Sequence, residues 1–528
     1  MCNSRVLIDG LSMSLCMALF FSQRGNADNT LLLILTLVPY LISYCVFRVM
    51  FSLSHKCMTV VLVTALGVLC LKELYEGYSQ LFMSLGKKNG QDICVGSFSN
   101  SGLYGCFLAV CASTFAACCV RLKTNNIKNV LIALIVFSLL LLPVTMSRAS
   151  FLALSVSVFF LILNGKRVKL LVRRNWVVVS VLIVLLGTGA YVIKKPSADG
   201  RMLMDRIGLR IIMKKGFKGA GAGLYAGAYG EEQRAFFMEM VGNNADEMKI
   251  NGIPESIRKI ADCPCYAFNE YLNAGVEYGP IAMLLMLVLI AFCIVSAYKS
   301  GSCWCYSLLT LTVFALFSYP FHTKFYCYLF TALVASIGKT ENRKVLFVAV
   351  YSLIAIIACF YLKTEEGKID NSLAHSYHNK GGIFFESQPN VLLSKNLLTG
   401  MYNMVDQNTL FYSGLVYNKN GSYNKSDSIL KIGTLISSDP MFWNVMGNNS
   451  LALGKYREAE ERYKHAFYMV PNRLYPLYLL AKLYHTEGDS ARFLKMADLI
   501  ETFEPKIESI KTERLRSEIR EIKTTYHK

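Results

Sequence analysis

Charge is what this chain has least of. Only 17% of its 528 residues are Asp, Glu, Lys or Arg, against 54% hydrophobic, and the mean hydropathy is +0.38. Soluble domains carry about 25% charged residues. The deficit excludes a disordered chain, a fibrous protein and an ordinary cytosolic enzyme. Acid is the scarcer sign, with 36 Asp and Glu against 55 Lys and Arg and a net charge of +19. In a soluble protein such an excess would suggest nucleic acid as a partner. Here much of it gathers in short loops between apolar runs, where orientation and membrane lipids account for it, and no nucleic acid is expected. Cysteine is absent after Lys363 although the chain holds 17. Most of the thiols lie in apolar runs, where they pack as small hydrophobes. Cys94, Cys263 and Cys265 fall in loops; free thiols, or a bridge from Cys94 to one of the other two, are both open. Histidine is missing from residues 194–271. No cluster with metal-ligand spacing is found, so neither a metal nor a cofactor is expected.

Long apolar runs are abundant. About eleven are legible, at 7–21, 31–51, 58–71, 103–120, 130–146, 151–163, 176–193, 272–298, 304–317, 326–337 and 345–361. Runs of this kind match a hydrocarbon core about 30 Å thick. They predict an all-α fold, a polytopic α-helical membrane protein. The first run has Arg5 and Asp9 at its start and no small-residue cleavage site, so it reads as an uncleaved helix. Basic loops at 121–128, 166–174 and 339–344, with Arg48 and Lys56, alternate so that all share one side. The positive-inside rule makes that side cytoplasmic. Loops 73–101 and 194–271, and everything from 363 onward, then fall outside.

The C-terminal part is of another kind, which divides the chain into 1–362 and 363–528. Trp443, Gly447, Gly454, Tyr456, Ala459, Tyr463, Ala466 and Pro471 stand at tetratricopeptide spacing, and Leu477, Ala481, Tyr484, Gly488, Ala497 and Pro505 repeat it. Gly454 to Gly488 and Pro471 to Pro505 are both steps of 34 residues. Residues 408–440 read as a decayed third copy and 508–523 as a capping helix. An α-solenoid of this type offers a surface to a protein partner.

Ionisable groups at a membrane face are costly and mark candidate sites. Arg148 sits between two runs on the outer side. It reads as an interfacial arginine or as a phosphate clamp, since guanidinium pairs bidentately with phosphate. In 200–215, a helix puts Arg206, Arg210 and Lys214 on one stripe, beside an apolar stripe of Leu203, Ile207 and Ile211. Eight basic and two acidic residues lie between Lys194 and Lys218. This reads as an interfacial anchor or as a site for a lipid-linked phosphate. The glycine-rich turn 216–225 lacks the Lys-Ser/Thr of a P-loop and a preceding strand, which argues against a nucleotide. Asn269 and Glu270 stand at the mouth of a run. Glu270 is a candidate base, or a helix-start acid favoured by the helix dipole. His322 is the one histidine of a short outer loop.

In order, these pieces resemble the O-antigen ligase and O-antigen polymerase superfamily, which includes bacterial protein O-oligosaccharyltransferases. Ser147-Arg148 resembles its Ser-Arg motif. Gly200-Arg201 through Gly219-x-Gly221 to Tyr225 is similar to its Gly-Arg helix and Gly-x-Gly turn. Asn269-Glu-Tyr-Leu272 with Glu277 and Gly279 resembles its closing motif. The resemblance covers roughly residues 30–340. It implies a metal-independent glycosyltransferase of the bacterial inner membrane, taking a glycan from undecaprenyl diphosphate to a hydroxyl of lipid A-core, a growing glycan or a protein. The tail would then be periplasmic. It assigns Arg148 and Arg201 to the diphosphate, with Arg210 as a third; Arg206 and Lys214 of the stripe, Asn269 and His322 complete the candidate substrate contacts. The chain departs from the pattern in having Phe268 where many ligases have histidine, and Asp205 where a tryptophan is common. Glu270 is therefore the candidate base and His322 the reserve. The contrasting reading is a membrane-anchored repeat scaffold or a transporter. The near absence of charge at the centres of the runs disfavours a transporter.

Overall fold

The computed structural model describes residues 8–12, 14–15, 19, 27–85, 94–163, 195–242, 252–337 and 407–526. Among them every regular element is helical. The runs at 176–193 and 345–361, most of 7–21, and the basic loops 166–174 and 339–344 lie outside the described residues.

The first group of helices is α1 (Ala27–Leu53), α2 (His55–Leu85), α3 (Ser101–Cys119), α4 (Asn125–Leu141) and α5 (Arg148–Leu163). An outer set follows: α6 (Lys195–Lys215), α7 (Tyr225–Met240), α8 (Glu255–Ile260) and α9 (Glu270–Tyr278). The chain then returns to apolar helices α10 (Pro280–Lys299), α11 (Trp304–Phe314) and α12 (Lys324–Ala335). Among the described residues, four stretches are long and apolar enough to cross a membrane: His55–Ser84, Ser101–Cys119, Asn125–Thr145 and Pro280–Lys299. The apolar helices Leu37–Leu53, Arg148–Leu163, Trp304–Phe314 and Lys324–Ala335 are shorter.

Local chemistry sets the ends of these helices. The Asn100 side chain accepts from the Leu103 N–H at 2.8 Å and starts α3. Pro143 lies in a 3-10 turn, Leu142–Thr145, that closes α4. Two expectations are corrected. The run at 58–71 belongs to a helix that continues to Leu85, so nearly half of the expected loop 73–101 is helical. Glu73, buried there, accepts from the Ser97 N–H at 3.0 Å and from the Ser97 hydroxyl, pinning the loop back on its own helix. The run at 272–298 is broken where Gly279, at φ 88°, meets Pro280. The span proper is α10, and α9 is a separate short helix.

Helix α3 is the centre of the bundle. Hydroxyls join it to its neighbours: Thr310 donates to Ser113 at 2.9 Å and lies 2.8 Å from Ser157, and Thr114 meets Ser307 at 2.6 Å. Arg48 is no loop residue. It is buried in α1, donates to the Ala335 and Ile337 carbonyls at the end of α12, and pairs with Asp9 at 2.9 Å.

Six further helices follow in pairs: α13 (Gln407–Lys419) with α14 (Tyr423–Ile436), α15 (Met441–Ala452) with α16 (Tyr456–Met469), and α17 (Tyr475–Glu487) with α18 (Ser490–Thr502). Each packs on the next, and α19 (Ile510–Thr525) closes the row with a Ser509–Thr512 capping box. Helices α16 to α19 share one hydrophobic core with the outer set, while α13, α14 and the start of α15 close a cluster of their own. Ile207, Tyr229, Phe237 and Val276 lie in the same cluster as Tyr463, Phe467, Leu480 and Phe493. A Cβ on Gly227 of α7 would collide with the Leu435 carbonyl, so only glycine allows this approach of helix to backbone. Buried amides seal the joint. Gln233 Nε2 donates to the Asp262 and Met469 carbonyls, and Asn472 Nδ2 to those of Arg258 and Ala261.

Candidate functional site

Arg148 opens α5 directly after the 3-10 turn. Met146 between them takes a left-handed backbone, φ 53°. A β-carbon residue in that region is held by its surroundings at a cost of about 1–3 kcal/mol. Here the kink turns the chain from α4 into the start of α5. Ser147 and Ser150 hydroxyls, 2.7 Å apart, close the first turn. Arg201 comes from the second turn of α6. The two arginines line one cleft of about 310 Å³, with Asn100, Ser147, Ser197, Phe268, Ser318 and Tyr319. The Arg201 guanidinium lies 4.9 Å above the Phe268 ring. Asn100, whose Oδ1 caps α3, donates through Nδ2 to the Tyr319 hydroxyl at 3.0 Å. Burial, and then the like charge of Arg148, push Arg201 below the ordinary arginine value. Two cations thus face one polar hollow, an arrangement that favours a polyanion. One turn further along α6, burial pushes the Asp205 carboxyl up to about 6, against the opposing pull of Arg201.

The closing motif is built beside this cleft. Asn269 caps α9, accepting from the Tyr271 and Leu272 N–H groups at 3.2 Å each. Its side chain therefore serves the helix. Glu270 is 4% exposed. Its carboxylate accepts from the Phe321 N–H and stands 3.3 Å from His322 Nδ1. His322, with 21% of its side chain exposed, is the more open of the two. Burial pushes its imidazolium down, but the Glu270 carboxylate more than offsets that, and the net shift is upward. The Tyr266 ring lies 4.0 Å from the imidazole. Neither Glu270 nor His322 is on the cleft lining, whereas Phe268 and Tyr319, two and three residues before them, are.

Other candidates go elsewhere. Arg210 pairs with Glu232 at 2.7 Å and Glu239 at 2.6 Å, and Lys214 with Glu232 at 2.8 Å. Arg206 lies 5.0 Å above the Phe236 ring. The expected basic stripe thus meets α7 and does not line the cleft. In the glycine-rich turn, the Ala220 and Gly221 N–H groups donate to the Val276 and Glu277 carbonyls at 2.7 and 3.0 Å. Gly219, at φ 69°, has no room for a Cβ against Glu277, nor Gly279 against Phe217. These glycines serve backbone packing on α9. Burial pushes the Glu277 carboxyl up, while bonds from Gly223 and Asn273 pull it the other way. Cys94, Cys263 and Cys265 are free thiols, and Arg473 Nη2 stands 3.0 Å from the Cys263 sulfur.

Sequence reasoning missed Asn100, Ser197 and Tyr319. Asn100 before an apolar run was readable as a helix cap, and Tyr319 shares its short loop with His322. Ser197 carried no signal. Among the described residues no group of three or more His, Cys, Asp and Glu side chains is gathered closely enough to hold a metal ion. Comparison with known proteins finds no matching family, no matching curated protein and no matching solved structure.

Proposed function

We propose that this chain transfers a glycan from undecaprenyl diphosphate to an acceptor hydroxyl, on the periplasmic face of a bacterial inner membrane. The observation that carries the reading is the convergence of Arg148 and Arg201, from separate helices, on one cleft walled by Phe268 and Tyr319. Guanidiniums suit a diphosphate, and aromatic faces suit the apolar face of a sugar ring. In the step proposed, the acceptor oxygen bonds to the anomeric carbon as the bond from that carbon to phosphate oxygen breaks, with inversion. The electron pair leaves with undecaprenyl diphosphate, whose charge Arg148 and Arg201 offset. The acceptor proton passes to His322 Nε2, while Glu270 orients the ring through Nδ1. This reverses the order expected from the sequence, because Glu270 is the more deeply buried member of the pair. The step balances without a cofactor.

The finer architecture belongs to the same proposal. It has about eleven spans, a membrane part over 1–362 and a periplasmic tetratricopeptide solenoid over 363–528. Three helix pairs and a terminal helix support the solenoid. Ligase, polymerase and protein oligosaccharyltransferase differ in the acceptor alone. The test is turnover of lipid-linked glycan by the full-length chain. Arg148→Lys keeps the charge and loses the planar fork, and Arg201→Ala loses both. Each charge-assisted hydrogen bond contributes about 1.5–3 kcal/mol, so each variant should fall roughly ten- to a hundredfold. Normal turnover by both variants would remove the reading. The acceptor that loses sugar in a deletion strain decides among the three activities.

A further inference from the structure

Helix α6 has two apolar faces. The stripe of Leu203, Ile207 and Ile211 is buried in the core shared with α9 and the tail. The other face carries Met202, Leu209 and Met213, spaced by seven and four residues and therefore on one side of the helix. All three are exposed, Met213 by 75%, and Phe217 just beyond the helix end is exposed by 74%. Lys215 and Lys218 flank the end of this stripe, both exposed. A large apolar stripe left to water is unusual in a soluble layer and marks a contact.

The place of the stripe says what covers it. Phe217 lies against Gly279, the residue that precedes the span α10, so closely that a Cβ there would strike the Phe217 carbonyl. On α10, Ile281, Leu284 and Val288 point outward, as the lipid face of a span does. The outward stripe of α6 thus ends where a lipid-facing stripe begins. The flanking lysines match anionic headgroups. We infer that the outward face of α6, Met202, Leu209, Met213 and Phe217, is seated in the headgroup and upper acyl region of an anionic bilayer. Seated there, α6 ties the Arg201 end of the helix to the leaflet. The inference stands apart from glycan transfer, and its readout is not activity.

The experiment uses the full-length chain in vesicles of phosphatidylcholine and phosphatidylglycerol with brominated acyl chains. A reporter Met213→Trp is compared with Ile507→Trp, an exposed position of the tail, and the emission of the parent chain is subtracted. Leu209→Trp repeats the measurement on the same stripe. The expected result is that bromolipid quenches Met213→Trp and Leu209→Trp but not Ile507→Trp, while aqueous acrylamide does the reverse. Omitting phosphatidylglycerol should weaken the bromolipid quenching, and no change would remove the headgroup part of the inference. Free access of acrylamide to both stripe reporters would overturn it. Shielding from both quenchers would also overturn it, by placing a second copy of the chain over the stripe.

Discussion

Helix α3 in the apolar bundle and helix α16 in the tail are both surrounded by neighbours, yet different chemistry holds them. Around α3 buried Tyr104, Phe107 and Phe115 stand among many Cys, Ala, Ser and Thr, and hydroxyl bonds run to α11 and, from Ser150 to the Gly102 carbonyl, to α5. Around α16 they are made by Tyr463, Phe467 and Tyr468, with ion pairs such as Lys464–Glu460 at 2.8 Å along the rim. The contrast follows from the solvent. Hydrocarbon gives apolar side chains no reason to leave it, so bundle helices associate through close approach and polar contacts. Water drives aromatic surface into a core, so the outer layer is built on large side chains. Hydropathy alone does not separate the helices of the bundle. The most apolar 18-residue window of α3 is 89% buried, whereas those of α2, α4 and α10 are 28% buried.

Three measurements would break or sharpen this contrast. The largest effect is expected in the shared core. Phe467→Ala should cost about 3–5 kcal/mol and loosen the outer helices α6 to α9 together with the tail. Limited proteolysis of both regions checks it, and loss confined to the tail would show two cores in place of one. In the bundle, Thr310→Val should cost far less, about 0.6 kcal/mol, the usual worth of a hydrogen bond between membrane helices. A loss as large as that of Phe467→Ala, by denaturation in detergent, would mean that the hydroxyl chain does more than join helices. The smallest effect concerns Asp205. Its folded value, about 6, lies above the unfolded 3.8, so between these the folded chain binds a proton that the unfolded chain releases. The outer layer should therefore gain stability as pH falls through that window. Asp205→Asn should flatten the response in a thermal melt.

Much of the bundle was legible because a helix in lipid must be apolar over its length. Its interruptions were less so: the break at Gly279-Pro280 hid inside a continuous apolar run, and α2 outlasted its apolar stretch because Lys72, Glu73 and Glu76 continue it as a charged but helical segment. At the cleft, Arg148 stood out as a cation between apolar runs, whereas Arg201 was reached only through the resemblance that set both on one diphosphate, and nothing in the local sequence said that they meet. The basic stripe of α6 was correct as a pattern and incomplete as a contact, since Glu232 and Glu239 lie on another helix. The docking of the tail on the outer helices was invisible. Gln233 and Asn472 look like ordinary surface amides until folding sets them opposite carbonyls far along the chain.

The Gln233–Met469 bond spans 236 residues. A ribosome adds about 5–20 residues per second, so the tail follows α7 by roughly ten to fifty seconds. Throughout that interval Tyr229, Phe236 and Phe237 have only the outer helices' share of their core. The outer helices are therefore made early and finished late. Their safety during synthesis depends on whatever shelters a sticky, half-built layer until the last helices emerge.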